Sequence, residues 1–201
     1  MVGYMNCRKV VYIIPGMGAS PRYKPFLDIA KIFRSNGITP ILVSINCDLS
    51  MEDYVDQFIK KYNTVNKRGD KVYLFGFSAG AWIALMASIK LRPYMVILCS
   101  PSPYFKEDAH YWKKKWIKEL GENRFQSFSH YEFKTVIKKL KSNALVLVGK
   151  NEYDVVLRRA RAIHKSVKNS RLIVIKSGEH NIRGREYMSA LKKNLTEEQL
   201  S

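Results

Sequence analysis

A serine bracketed by glycines, Gly76-Phe77-Ser78-Ala79-Gly80, stands between two apolar runs of different character. The run before it, Lys71–Gly76 (KVYLFG), reads as a strand. The run after it, Ala79–Leu91, reads as a helix that ends ahead of Pro93, because proline disfavours helical backbone in the residue before it. A chain turning from strand to helix within about two residues strains the serine backbone and leaves no room for a Cβ at the flanking positions, hence Gly76 and Gly80. Such a turn exposes the Ser78 hydroxyl and aims the first N–H groups of the helix at whatever it attacks.

That chemistry is nucleophilic, and a hydroxyl near neutral pH needs a base. Of four histidines, His180 follows the last strand-like run, after Lys176-Ser177-Gly178-Glu179. His164 sits inside a charged helical pattern, and His110 and His130 lie in a stretch without strands. The base in turn wants a carboxylate to fix its tautomer and stabilise its charged form. Glu152 and Asp154 both follow the run Ala144–Val148. Asp154 could equally cap a helix beginning at Val155, whereas Glu152 lies nearer the strand end, so residue type alone leaves both as candidates.

The first strand closes on Pro15-Gly16-Met17-Gly18-Ala19-Ser20. A dinucleotide fingerprint would need glycine at the next position, where Pro21 stands. The backbone N–H of Met17, with that of Ala79, reads instead as a donor pair for negative charge developing on a carbonyl oxygen. Losing one such donor typically costs about 2.7–4 kcal/mol of transition-state stabilisation. No cofactor and no metal are expected. The cysteines Cys7, Cys47 and Cys99 are odd in number and widely spaced, unlike zinc ligands or a disulfide framework.

These residues must be carried by something, and the chain alternates short β-rich runs with amphipathic stretches. Strands are expected at Lys9–Ile14, Pro40–Ile45, Lys71–Gly76, Met95–Cys99, Ala144–Val148 and Arg171–Ile175. Helices are expected at Lys24–Asn36, after the capped start at Ser50, at Ala79–Leu91, and at Val155–Val167 and Ile182–Leu195. Strands without strict alternation are buried on both faces, so the expectation is an α/β fold: a mainly parallel, doubly wound sheet of about six strands with helices on both faces. In such sheets the reactive crevice lies at the carboxyl ends of the strands, where Met17, Ser78, Glu152, Asp154 and His180 all fall.

The 201 residues, 46% apolar and 26% charged, suit one domain spanning 1–201. Within it, Pro103–Ser142 breaks the rhythm, and its pair Trp112 and Trp116 reads as packing between this insertion and the body. No run reaches about 18 apolar residues, and the first apolar run is cut by Pro15-Gly16. A membrane span and a secretory leader are therefore not expected, and the reading is cytoplasmic. The net charge of +18 is spread along the chain, with clusters at Lys113–Lys115, Lys138-Lys139 and Arg158-Arg159-Ala160-Arg161. It reads as a solvated surface rather than a nucleic-acid interface, and it is compatible with an anionic substrate.

Taken together, these residues and their order resemble the α/β-hydrolase superfamily over nearly the whole chain, as a small member. The resemblance implies the succession nucleophile Ser78, acid Glu152 or Asp154, base His180, with Gly16-Met17 as the oxyanion turn. Pro15 replaces the histidine usual before that glycine. The family register, three residues after the glycine that ends the strand, selects Glu152 from Gly149. The resemblance also implies that 103–142 is a lid or cap. The expected activity is serine hydrolysis of an ester or related acyl bond on a small-molecule substrate through an acyl-enzyme. The alternatives are an acyltransferase or thioesterase on the same residues, or a binding module that has kept the fold. Oligomeric state is not readable from the sequence.

Overall fold

Apolar runs without alternation can be satisfied only by cover on both faces, and the chain assembles its runs into one six-stranded sheet of order β2-β1-β3-β4-β5-β6. The computed structural model describes residues 7–46, 49–111, 117, 121–128 and 130–200. The strands are β1 (Lys9–Ile14), β2 (Thr39–Leu42), β3 (Lys71–Phe77), β4 (Met95–Cys99), β5 (Asn143–Gly149) and β6 (Ser170–Ile175), and every pairing is parallel.

The chain runs outward from β1 to β2 and then returns past β1 to β3. Right-handed crossovers consequently drop the intervening helices on opposite faces. Helix α1 (Lys24–Ser35) buries Phe26, Ile29 and Phe33 on one face, with Tyr187 and Leu191 of α7 (Arg185–Asn194). On the other face lie α2 (Met51–Val65), α3 (Ala79–Leu91) and α6 (Asp154–Ser166), contributing Tyr54 and Phe58, Trp82 and Leu85, and Val156 and Ile163. A last short helix, α8 (Glu197–Leu200), buries Leu200, whose carbonyl accepts from the Tyr73 hydroxyl at 2.8 Å. The reversal between β1 and β3 opens a crevice at their carboxyl ends, and both Gly16 and Ser78 stand there.

Two expected elements are trimmed by more than one residue at an end. Strand β2 stops at Leu42 rather than Ile45; its neighbour β1 ends at Ile14, and Pro15 has no N–H to continue the ladder. The helix expected from Ile182 begins at Arg185, because Asn181 to Gly184 form a turn closed by Gly184 N–H to Asn181 O at 3.0 Å.

The segment between β4 and β5 carries a 3-10 turn (Lys106–Tyr111) and two short helices, α4 (Glu122–Phe128) and α5 (Phe133–Ile137). Phe105, Phe128, Phe133 and Val136 are buried in the same core as α2, α3 and α6. Arg159 of α6 meets Asp108 at 2.5 Å, with its guanidinium 4.8 Å from the Phe105 ring and 3.9 Å from that of Phe133. The Trp82 indole N–H donates to Tyr104 O at 3.0 Å, which ties the start of the segment to α3. Trp112, Trp116 and Lys113–Lys115 lie outside the described residues. Among the described residues, no helix is long and apolar enough to cross a membrane.

Candidate active site

The turn after β3 is built by close approach. A Cβ on Gly76 would overlap the Gly80 carbonyl, and one on Gly80 would overlap the carbonyls of Ile14 and Pro15. The absence of both side chains lets α3 start against the end of β1. Between them Ser78 adopts φ 55 and ψ −121, a region costing a non-glycine residue about 1–3 kcal/mol. Its N–H donates to Cys99 O at 2.9 Å, and its carbonyl accepts from Ala81 N–H at 3.0 Å, so the bend is pinned from both sides.

Ser78 Oγ lies 2.9 Å from His180 Nε2, across 102 positions of sequence. His180 Nδ1 lies 2.6 Å from Glu152 Oε2. The imidazole is 31% exposed on one side, whereas the Glu152 side chain is fully buried. With the Nδ1 proton directed to the carboxylate, Nε2 is free to accept from the Ser78 hydroxyl. The three groups thus form a line along which a proton can leave an attacking oxygen.

Glu152 and His180 arrive on separate loops held face to face. A Cβ on Gly149 would overlap the Gly178 carbonyl. That same carbonyl accepts from Asn151 N–H at 2.9 Å, and Ile175 O accepts from Lys150 N–H at 2.8 Å. The Phe77 ring packs 5.3 Å from the His180 ring and 5.9 Å from that of Tyr187, flooring the imidazole.

Asp154 does not join this group. It is exposed at the first position of α6, where Tyr153 rather than Asp154 holds the N-cap place and no side-chain cap is made. His164 is exposed and bonds Ser170 at 2.9 Å, and His130 is exposed and bonds Glu52 at 3.2 Å. The His110 ring lies tilted against that of Tyr111 in the 3-10 turn, with centroids 3.7 Å apart.

Met17 and Ala79, with Ala19, Ile45, Tyr54 and Ile83, line a narrow cleft open to solvent. Ala79 begins α3, where helix geometry leaves its N–H without an intrahelical acceptor. Gly16 stands next to the serine, where an added Cβ would lie 3.4 Å from Ser78 Cβ, so the Met17 loop runs beside Ser78. Among the described residues, no group of three or more His, Cys, Asp or Glu side chains could hold a metal ion.

Three participants were not singled out from the sequence. Ser102, nearly buried, brings its Oγ within 3.3 Å of Ser78 Oγ. It also bonds the Tyr104 phenol, which burial pushes above its ordinary range. Ser100, at φ 46, donates its hydroxyl to Glu152 Oε1 and lies 2.8 Å from Tyr187 Oη. The Tyr187 hydroxyl donates to Leu147 O at 3.1 Å. The signal was present for the serines, since Ser100-Pro101-Ser102-Pro103 follows β4 directly, at the same end of the sheet as the others. Tyr187, inside a helix, gave none.

No family profile and no curated protein sequence matches the chain. Solved structures do. Est1E from Butyrivibrio proteoclasticus superposes with TM-score 0.80 at 16% identity, over 93% of this chain and 86% of that one. Its ferulic acid-bound form gives 0.82 at 15%, over 96% and 89%. A monoacylglycerol lipase from Paleococcus ferrophilus gives 0.69 at 14%, over 94% and 95%. At such identities the likeness concerns architecture: the same sheet and helices, end to end.

Proposed function

We propose that this chain, which has the α/β-hydrolase fold, is a serine hydrolase of esters or related acyl bonds. The observation that carries the reading is the unbroken line from Ser78 Oγ through both nitrogens of His180 to a fully buried Glu152 carboxylate. The esterase and lipase names among its structural neighbours support the same class.

In this reading Ser78 Oγ attacks the acyl carbon while its proton passes to His180 Nε2. The new imidazolium is stabilised by Glu152 through Nδ1–H, and the N–H groups of Met17 and Ala79 receive the oxyanion. Collapse of the tetrahedral intermediate breaks the bond to the leaving alcohol oxygen, which takes the proton from Nε2. A water molecule, deprotonated by the now neutral imidazole, then attacks the acyl-enzyme. The second collapse frees the acid and returns the proton to Ser78. The apolar side chains beside Met17 and Ala79 offer the acyl group its cover. No cofactor takes part in these steps.

A fluorophosphonate probe tests the reading. It should phosphonylate the wild-type protein at Ser78, as mapped by peptide mass spectrometry, and should not label Ser78→Ala. Equal labelling of both proteins, or none of the wild type, overturns the assignment.

A further inference from the structure

A glutamate has one more rotatable bond than an aspartate, so a glutamate acid must be restrained if one oxygen is to face the imidazole. Here Oε1 accepts from the Ser100 hydroxyl and from Gly149 N–H at 3.2 Å, leaving Oε2 alone to His180. Tyr187 Oη packs against the other side of the Ser100 hydroxyl at 2.8 Å, from a fully buried position on α7.

Ser100 is also one of three non-glycine residues with positive φ among the described residues, at 46. It is fully buried, and its N–H is tied to Leu147 O at 2.8 Å. That conformation is disfavoured for a serine, and it turns the chain after β4 so that the side chain meets the loop after β5. The other titratable groups around the carboxylate are His180, the Cys99 thiol and the Tyr187 phenol. Burial pushes the last two well above their ordinary ranges, so they remain neutral while Glu152 and His180 act.

We infer that Ser100 is a positioning residue of this site: its hydroxyl, with Gly149 N–H, occupies one oxygen of Glu152 so that the other is presented to His180. The inference rests on the proposed Ser78–His180–Glu152 reading. Wild-type protein separates the two, since a failure of Ser78 to react with a fluorophosphonate removes the reading itself and this inference with it.

Given a reactive wild type, Ser100→Ala and Ser100→Gly are compared. Both lack the hydroxyl; alanine meets the same backbone cost as the serine it replaces, whereas glycine adopts positive φ freely. Both folded variants should react with the fluorophosphonate about tenfold more slowly, matching the loss of a hydrogen bond to a charged group. With a p-nitrophenyl ester, kcat should fall similarly while KM stays within about twofold. The far-downfield proton resonance of His180 Nδ1–H should move upfield or vanish, a change that loss of thermal stability alone does not produce. Wild-type labelling rate and an unmoved resonance in Ser100→Gly overturn the inference, whatever the alanine variant does.

Discussion

Ser78 holds a backbone conformation that its own side chain makes costly, at φ 55 and ψ −121. Relief of that strain is predicted to run against activity. Ser78→Gly should abolish ester turnover while raising stability by about 1 kcal/mol in urea unfolding, the strain recovered less the extra freedom of glycine in the unfolded chain. The carboxylate beside His180 gives a second contrast. Glu152→Gln preserves the shape but no longer stabilises an imidazolium, so kcat should fall about 10³–10⁴-fold. Asp154→Ala, changing an exposed residue at the start of α6, should leave kcat within about twofold. Steady-state kinetics on one ester checks both. The two acids stand two positions apart in sequence, and only the path of the turn after Gly149 separates them.

Elements position these residues by contacts at their ends. The capping box of Ser50 and Asp53 starts α2, and Gly76 and Gly80 let α3 start against β1. Both devices are local, which is why the sequence announces them. The segment after β4 is different. Its aromatic residues could be seen, but not what they would pack against. Burial of Phe105, Phe128 and Phe133 against α2, α3 and α6, with Asp108 held by Arg159, makes much of it part of the core. Removing one member of that pair strands a buried charge, so Asp108→Ala should cost about 3–5 kcal/mol. The double change Asp108→Leu with Arg159→Met should recover most of it. Urea denaturation of the two variants and the wild type measures the difference.

At the scale of the whole molecule, acid stability should depend on carboxylates held in their charged form. The Arg8 guanidinium, at 2.5 Å, and the Lys67 N–H hold the Asp70 carboxyl below its ordinary value of 3.8. A depressed folded-state value means that the contribution is fully present above 3.8 and is lost as the pH falls from there through the folded-state value. Asp28 and Asp53, held down by Lys24 and Ser50 respectively, add to the same trend. Asp70→Asn should therefore have a lower Tm than wild type near pH 7 and lose less of it on acidification below 3.8, as followed by circular dichroism. An equal loss of Tm in both proteins would remove this pair from the acid response.

By itself the sequence determined the succession of strands and helices, the sharp turn at Ser78, and the placement of Met17, Glu152, Asp154 and His180 behind strands. Those features are written in short-range terms: periodicity, glycine and proline positions, and the rule that loops after parallel strands gather at one edge. The tertiary structure decided which carboxylate meets the imidazole, that Ser100 and Tyr187 surround it, and where α7 begins. Those outcomes depend on which strands become neighbours and on how closely the loops carrying Gly149 and Gly178 approach. Residues far apart along the chain set such distances jointly, and no local pattern encodes them.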